Sequence, residues 1–209
     1  MKRNNILVIT LSLVFVINRA SAQMPRTEEE EKKGGFKKEN LFTGGSLSLG
    51  FGSGFFQGGI SPFFGYSLAS WVDAGIALNY NYSSNSEVYI VNPNDKIKES
   101  TYGIGGFTRI YPINMLFIQA QYEHNFITQK FIPGDNTPSS NTNVNASSVL
   151  LGAGIASGRF PNNGQPFFYL SVLFDVLDNE YSPYTDNGGG IIPIFRAGIQ
   201  VPLFQGKKY

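Results

Sequence analysis

The sequence of 209 residues has no cysteine and a single histidine. The absence of cysteine excludes disulfides, thiol nucleophiles, thiolate metal sites and a lipid-bearing N-terminal cysteine. A lone imidazole excludes sites built from two or more histidines. Charged residues are also scarce, at 15% of the chain, whereas 24 residues are Gly, 18 are Phe and 11 are Tyr. This mixture favours β-structure rich in aromatic residues over a helical bundle or a disordered chain.

The first residues predict a signal peptide. Lys2 and Arg3 precede an apolar run over residues 6–17, and Ala20 and Ala22 provide the small residues of a cleavage site. The run is shorter than the roughly 20 residues of a membrane-spanning helix. We therefore expect residues 1–22 to be removed on export. Loss of their basic residues leaves a slightly acidic chain, which argues against a nucleic-acid partner.

The mature chain changes character after Asn40. Residues 23–40 are polar with charges of both signs, so we predict a flexible periplasmic tail. Beyond that point apolar residues alternate with small or polar ones at period two, which is typical of strands with two different faces. Eight such segments are predicted as strands: residues 41–51, 56–66, 71–82, 101–111, 116–126, 148–156, 167–177 and 191–201.

Charge density indicates which face of these strands is outside. Alternation alone fits a soluble barrel as well, but the surface of a soluble protein carries roughly a quarter to a third charged residues. The eight segments contain few charges, and all of them fall in the polar face: Asp73, Arg109, Glu123, Asp175 and Arg196. We therefore predict an all-β, eight-stranded antiparallel up-and-down transmembrane β-barrel over residues 41–204, with a polar lumen and a lipid-facing apolar wall. Residues 205–209 are predicted to be a C-terminal tail.

The connections between the segments support this topology. Outer-membrane barrels alternate short periplasmic turns with longer extracellular loops. Residues 67–70, 112–114 and 157–166 are the predicted turns, whereas residues 83–100, 127–147 and 178–190 are long and rich in Asn, Ser and Pro. Aromatic residues near the strand ends, including Tyr80, Tyr102 and Trp71, predict interfacial girdles.

Several motifs resemble a known family. Residues 61–66 read Ser-Pro-Phe-Phe-Gly-Tyr, residues 73–76 read Asp-Ala-Gly-Ile, and residues 105–111 read Gly-Gly-Phe-Thr-Arg-Ile-Tyr. The pattern resembles the small Bacteroidetes-type outer-membrane β-barrel proteins, often described as porin-like. The resemblance implies an eight-stranded barrel in the Gram-negative outer membrane with a periplasmic N-terminus, and it implies no agreed ligand or reaction. Phe204 and Tyr209 are alternative candidates for the terminal aromatic residue of such barrels.

The sequence contains little that points to catalysis. His124 shares the lipid-facing parity of Tyr122 and Phe126, and no serine lies two residues from it on its own strand. We therefore predict no enzymatic activity, no cofactor and no metal site. The leading hypothesis is a non-enzymatic outer-membrane barrel that contacts lipid and whose loops serve recognition, shielding or binding of an envelope protein. The alternatives are a narrow transport protein for a small or apolar solute and a lipid-modifying barrel enzyme.

The inward charges are predicted to be structural. Buried charges need partners, and counting back from the centres of the outer loops places Asp73 opposite Arg109 and Asp175 within about one residue of Arg196. We therefore predict these two ion pairs, which leave Glu123 without a partner on an adjacent strand. Large aromatic residues share the inward parity and would obstruct a passage: Phe42, Phe63, Phe107, Phe117, Phe167 and Tyr169.

Overall fold

The computed structural model describes residues 35–52, 55–86, 94–135, 137–159, 164–177, 179, 181–184 and 191–204, with the backbone alone at 51, 52 and 55. The predicted signal peptide, most of the predicted tail over residues 23–40, and residues 205–209 lie outside this range. Of the tail, Lys38–Asn40 form one turn of 3-10 helix directly before the first strand.

Eight antiparallel strands form a closed barrel in which each strand pairs with its neighbours in sequence. The first strand also pairs with the last, from Phe42 with Pro202 to Ser48 with Arg196. This confirms the predicted fold class. The strands are β1 (Leu41–Gly52), β2 (Phe55–Ala69), β3 (Val72–Asn85), β4 (Lys96–Ile113), β5 (Leu116–Ile132), β6 (Ser140–Ala156), β7 (Phe167–Asp175) and β8 (Ile194–Pro202).

Three strands exceed their predicted lengths by six residues or more. Strands β4, β5 and β6 continue through much of residues 83–100 and 127–147, which we had predicted as loops. Apolar cross-strand pairs explain the extension, because Ile97 lies opposite Phe131 and Ile127 lies opposite Val144. The prediction of long loops there is therefore wrong, and the chain instead forms a tall sheet of β3 to β6 at one side of the barrel.

Strands β7 and β8 are shorter than predicted. Strand β7 ends at Asp175, and β8 begins at Ile194 rather than at Ile191. Residues 176–193 therefore form the longest connection between strands. We call the end of the barrel that carries this connection the loop end. The opposite end, with the tight turns at Ser70–Trp71 and Asn114–Met115, is the turn end.

The outer wall of the barrel is apolar. Its side chains are large and exposed, and they come from all eight strands, as Leu47, Ile60, Ile76, Ile104, Ile118, Leu151, Leu170 and Phe195 illustrate. In water such a continuous apolar surface would be unfavourable, whereas lipid requires it. The exposed rings of Tyr80, Tyr102 and Phe126 lie toward the loop end, and those of Phe64 and Trp71 lie toward the turn end. The described residues include no helix of the length and apolarity needed to cross a bilayer.

The turn-end half of the lumen is filled by an aromatic core. Each of its members is at most 6% exposed: Phe42, Phe63, Ala77, Phe107, Tyr111, Phe117, Ala156, Phe167 and Tyr169. The rings of Phe63 and Phe107 meet edge to face with centroids 5.5 Å apart. Glycine at positions 44 and 198 makes room for this packing, because a Cβ at Gly44 would collide with the Phe63 ring and one at Gly198 with the Tyr169 ring.

Candidate functional site

The candidate site is the polar interior of the barrel. Each of the five charged residues selected from the sequence lies in the lumen and is 0–5% exposed: Asp73, Arg109, Glu123, Asp175 and Arg196. A further arginine, Arg159, enters from the turn end and is also buried. These six residues comprise three guanidinium groups and three carboxylates, so their formal charges balance. A further buried carboxylate, Asp95, accepts a hydrogen bond from the backbone N–H of Gly134 between two connections at the loop end.

The centre of the lumen contains an ion pair between β5 and β8. Arg196 Nη2 donates to Glu123 Oε1 at 3.0 Å, and Arg196 Nη1 donates to Gln121 Oε1 at 3.2 Å. On the adjacent strands Glu123 faces Gly105 and Ser148, neither of which carries a charge. Its partner lies across the lumen, which the count along neighbouring strands did not reveal.

A residue of the connection between β7 and β8 completes this centre. The hydroxyl of Tyr184 donates to Glu123 Oε2 at 2.7 Å, and the ring is 2% exposed. The side chain packs with Leu150, Leu173 and Ile194. Tyr184 thus fills the loop-end half of the lumen, as the aromatic core fills the turn-end half.

The predicted ion pair between Asp73 and Arg109 is wrong, although its register is right. Asp73 lies directly opposite Arg109, but both of its carboxylate oxygens bind Arg159, at 2.6 Å to Nη2 and 3.2 Å to Nε. Arg159 also donates to the carbonyl oxygen of Ser70. The two-pronged geometry matches a guanidinium to a carboxylate, so the arginine from the turn displaces the one on the neighbouring strand.

Arg109 is held by rings and amides instead of a carboxylate. Its guanidinium carbon lies 4.3 Å from the centroid of the Tyr169 ring and 5.0 Å from that of Phe107, with Phe63 and Phe117 slightly farther away. Its Nε donates to Gln119 at 2.8 Å and its Nη1 to Gln200 at 3.1 Å. Cation–π attraction is strongest where water is excluded, so this cage stabilises the charge without a direct counter-ion.

The predicted pair between Asp175 and Arg196 is also wrong. Arg196 lies opposite Ser171, so Asp175 stands four residues farther along β7 and is too far along the strand to be its cross-strand partner. Asp175 ends β7 and accepts hydrogen bonds from the backbone N–H groups of Val149 and Leu177 and, at 2.6 Å, from the hydroxyl of Ser182. Asp175 therefore fixes the start of the connection between β7 and β8 and does not bind an arginine.

Glutamine side chains link the two halves of the lumen. Gln200 bridges Asp73 and Arg109, and Gln119 donates to Gln121 at 2.7 Å, which in turn donates to Glu123 at 2.7 Å. Sequence analysis missed these residues together with Arg159 and Tyr184. The glutamines have the inward parity that would have identified them, whereas Arg159 and Tyr184 lie in connections, where parity has no meaning.

His124 lies on the outer wall and has a serine neighbour that the sequence analysis overlooked. Ser147 is directly opposite on β6, with its Oγ 3.2 Å from His124 Nδ1. Among the described residues, the one aromatic ring in contact with the His124 ring is that of Phe126, with the two centroids 5.0 Å apart. Nucleophilic catalysis requires a base oriented by a third group and donors for an oxyanion, and no carboxylate among the described residues contacts this histidine. We assign it to the membrane interface.

The filled lumen bears on what the site can do chemically. Among the described residues, no cluster of three metal-ligating side chains occurs. Two of the interior arginines bind carboxylates, Arg109 lies among rings and amides, and aromatic side chains occupy both halves of the lumen. This arrangement joins strands across the lumen, and the described interior side chains include no nucleophile paired with an oriented base.

These features define a membrane-spanning β-barrel with a packed interior. No protein-family model and no curated protein matches the sequence. Solved structures of similar shape include the surface protein A of Neisseria, with 12% identity, a TM-score of 0.42 and coverage of 78% of this chain and 96% of that one. Another is the attachment invasion locus protein of Yersinia pestis, with 11% identity, a TM-score of 0.41 and coverage of 77% and 95%.

A third similar structure is the N-terminal barrel domain of OprF from Pseudomonas aeruginosa, with 16% identity, a TM-score of 0.39 and coverage of 78% of this chain and 96% of that chain. These similarities are too low to transfer a function. The narrower resemblance to the Bacteroidetes-type barrels stays a prediction.

Proposed function

We propose that this protein is a non-enzymatic barrel of the Gram-negative outer membrane that presents the tall sheet of β3 to β6 outside the cell for recognition, shielding or contact with an envelope protein. The observation that carries the proposal is the contrast between a packed lumen and an extended outer sheet. Strand β4 continues beyond Tyr102 as far as Lys96, a rise of about 20 Å along the strand. Exported placement follows from the predicted signal peptide.

The upper part of β6 suits such contacts. Strand β7 pairs with β6 only from Leu150 to Ala156, whereas β5 pairs with β6 up to Ser140. Among the described residues, no second strand flanks β6 from Ser140 to Ala146. A strand edge with pairing on one side can accept an extended segment of a partner. The side chains there are mostly Asn, Ser and Thr, which suits contact in water.

A shortened hairpin tests the proposal. Residues 130–141 of the β5–β6 hairpin are replaced by Asn-Gly, a sequence that favours a two-residue hairpin turn between Gln129 and Thr142. These two residues already face each other, so we expect the barrel to fold. Envelope proteins or external ligands that crosslink to the wild type on whole cells should be lost from this variant. A variant with Lys98→Gln and Lys130→Gln serves as control, because it keeps the hairpin.

Two further measurements distinguish the alternatives. In planar bilayers the wild type should show no conductance steps, and conductance through single barrels would favour the transport hypothesis. A thiol label applied to whole cells should reach a cysteine placed at Asp135, in the β5–β6 connection, and should spare one placed at Asn114, in a turn. The reverse pattern would contradict the proposed orientation.

A further inference from the structure

Three lysines stand together on the outer face of the tall sheet. Lys98 on β4 lies directly opposite Lys130 on β5, so both side chains point to the same face of the sheet. Lys96 lies two residues farther along β4 and therefore also has this face. We call Lys96, Lys98 and Lys130 the lysine patch.

The face is outside the barrel. Inward positions of β4 and β5 are the buried ones, such as Thr101, Arg109, Glu123 and Ile127, and the lysines have the opposite parity. They share it with Tyr102 and Phe126, which are exposed on the outer wall and lie directly opposite each other. The lysine patch thus continues the lipid-facing surface toward the loop end.

Among the residues that the structure describes, no acidic side chain forms an ion pair with the lysine patch. Within the part of the chain that the structure describes, the two ion pairs are Arg159 with Asp73 and Arg196 with Glu123, both inside the lumen. The outward positions flanking the pair are Ser84 on β3 and Asn141 on β6. Like charges directly opposite on neighbouring strands repel each other, so an anion bound between the two amino groups would stabilise the pair.

The height of the lysine patch identifies the kind of anion. Aromatic rings such as Tyr102 and Phe126 mark the level of lipid headgroups. Lys98 is four residues beyond Tyr102, about 14 Å along the strand and about 10 Å along the axis of a tilted barrel. A lysine side chain folding back toward the membrane reaches the outer part of the headgroup layer. Between the aromatic rings and the lysine patch the outer face carries polar side chains, and there the Thr128 hydroxyl donates to the Asn143 side chain at 3.0 Å.

We propose that the lysine patch is a docking surface for the phosphate groups of an anionic glycolipid in the outer leaflet. The acyl chains of that lipid lie against the apolar wall of β4 and β5, and its phosphates bind the amino groups of Lys98 and Lys130. The inference rests on the outer-membrane placement proposed above and goes beyond it, because it names a lipid ligand.

Binding of a phosphorylated glycolipid tests the inference. The full-length mature protein is reconstituted in phosphatidylcholine vesicles containing a minor fraction of lipid A, and lipid retained per barrel is measured by native mass spectrometry. The double variant Lys98→Gln, Lys130→Gln should bind lipid A roughly thirtyfold more weakly, since each lysine near a charged surface contributes about a factor of five. The double variant with arginine at both positions should bind as the wild type does.

Matched controls separate a local site from general charge. The variant Lys37→Gln, Lys38→Gln loses the same charge at the turn end and should bind lipid A unchanged. Heat-modifiable mobility in gels shows that each variant has folded. Equal loss in both double variants, or no loss in the Lys98 and Lys130 variant, would overturn the inference.

Other probes distinguish the source of the anion. Dephosphorylated lipid A should be retained much less than lipid A, and equal retention would overturn the inference. Displacement by millimolar inorganic phosphate would indicate a site for free phosphate, and tighter binding of soluble heparin than of lipid A would indicate a soluble polyanion. Either result would overturn the lipid assignment. If the barrel inserts into the vesicles but does not retain lipid A preferentially, this inference alone is refuted. Hairpin crosslinking and bilayer conductance test the proposed function separately.

Discussion

The lumen stabilises two of its buried arginines in different ways. At the turn end, Arg109 lies among aromatic rings and binds the amide oxygens of Gln119 and Gln200. In the loop-end half, Arg196 binds the carboxylate of Glu123. The difference teaches that an inward arginine needs strong acceptors or rings, and that a carboxylate directly opposite on the next strand is neither required nor sufficient.

The largest expected effect comes from breaking the carboxylate-bound arginine. Arg196→Ala should lower the free energy of unfolding by about 3–5 kcal/mol, because Glu123 is left buried without its partner. Adding Glu123→Gln should recover part of the loss, whereas adding Asp175→Asn should not. The measurement is the temperature or urea concentration at which the folded barrel loses its heat-modifiable gel mobility. Rescue by the Asp175 change instead would show that the observed pairing is wrong.

A smaller effect is expected at the ring-bound arginine. Arg109→Met should lower the free energy of unfolding by about 2 kcal/mol, since it removes the cation–π contacts but leaves an apolar side chain to fill the cage. A double-mutant cycle in urea should give weak coupling between Asp73 and Arg109 and stronger coupling between Asp73 and Arg159. Equal coupling energies in the two cycles would contradict the observed contacts, in which Asp73 binds Arg159 rather than Arg109.

Removal of one hydroxyl tests the loop-end plug. Tyr184→Phe should cost about 1–2 kcal/mol, because Glu123 loses a hydrogen bond in a buried site. Backbone amides around residues 181–184 should exchange faster in deuterated buffer. Tyr181→Phe is the matched control, since that side chain is 55% exposed in the same connection and should leave exchange unchanged. Bilayer conductance should stay absent in both, because the aromatic core still fills the turn end.

The smallest effect is expected outside the lumen. His124→Ala should change the free energy of unfolding by less than about 1 kcal/mol, through loss of contact with Phe126. Vesicles containing the variant and the wild type should show the same background rate of phospholipid hydrolysis. A clear rate with the wild type that disappears in both His124→Ala and Ser147→Ala would establish catalysis and contradict our assignment of this pair.

Periodicity predicted the wall of the barrel better than its contents. Alternation placed Asp73, Glu123 and Arg196 inward because strand geometry fixes the direction of every second side chain. Counting back from the centre of the connection placed Asp73 opposite Arg109 in the register of β3 and β4, although the two do not form an ion pair. The extension of β4 to β6 was missed because Asn, Ser and Lys have low strand propensity, and cross-strand pairs such as Ile97 with Phe131 override it.

Partners inside the lumen were harder to predict for a geometric reason. A narrow barrel brings strands together that are not neighbours, so Glu123 on β5 meets Arg196 on β8. Side chains from the connections enter at both ends, as Arg159 and Tyr184 do. Neither effect leaves a periodic signal in the sequence. The sequence analysis left Glu123 without a partner on an adjacent strand, and its partner Arg196 lies on β8, which does not neighbour β5.

The seam between β1 and β8 has a consequence for the order of folding. It closes the barrel by joining the first and the last strand through seven residue pairs, whereas β1 and β2 are joined through twelve. The contacts of Gln200 with Arg109 and Asp73, and of Arg196 with Glu123, span 91, 127 and 73 positions of the chain. Because each of them involves β8, none forms before the last strand is in place. Such contact order slows folding and concentrates it in one late, cooperative step, in which closure of the wall and assembly of the interior occur together.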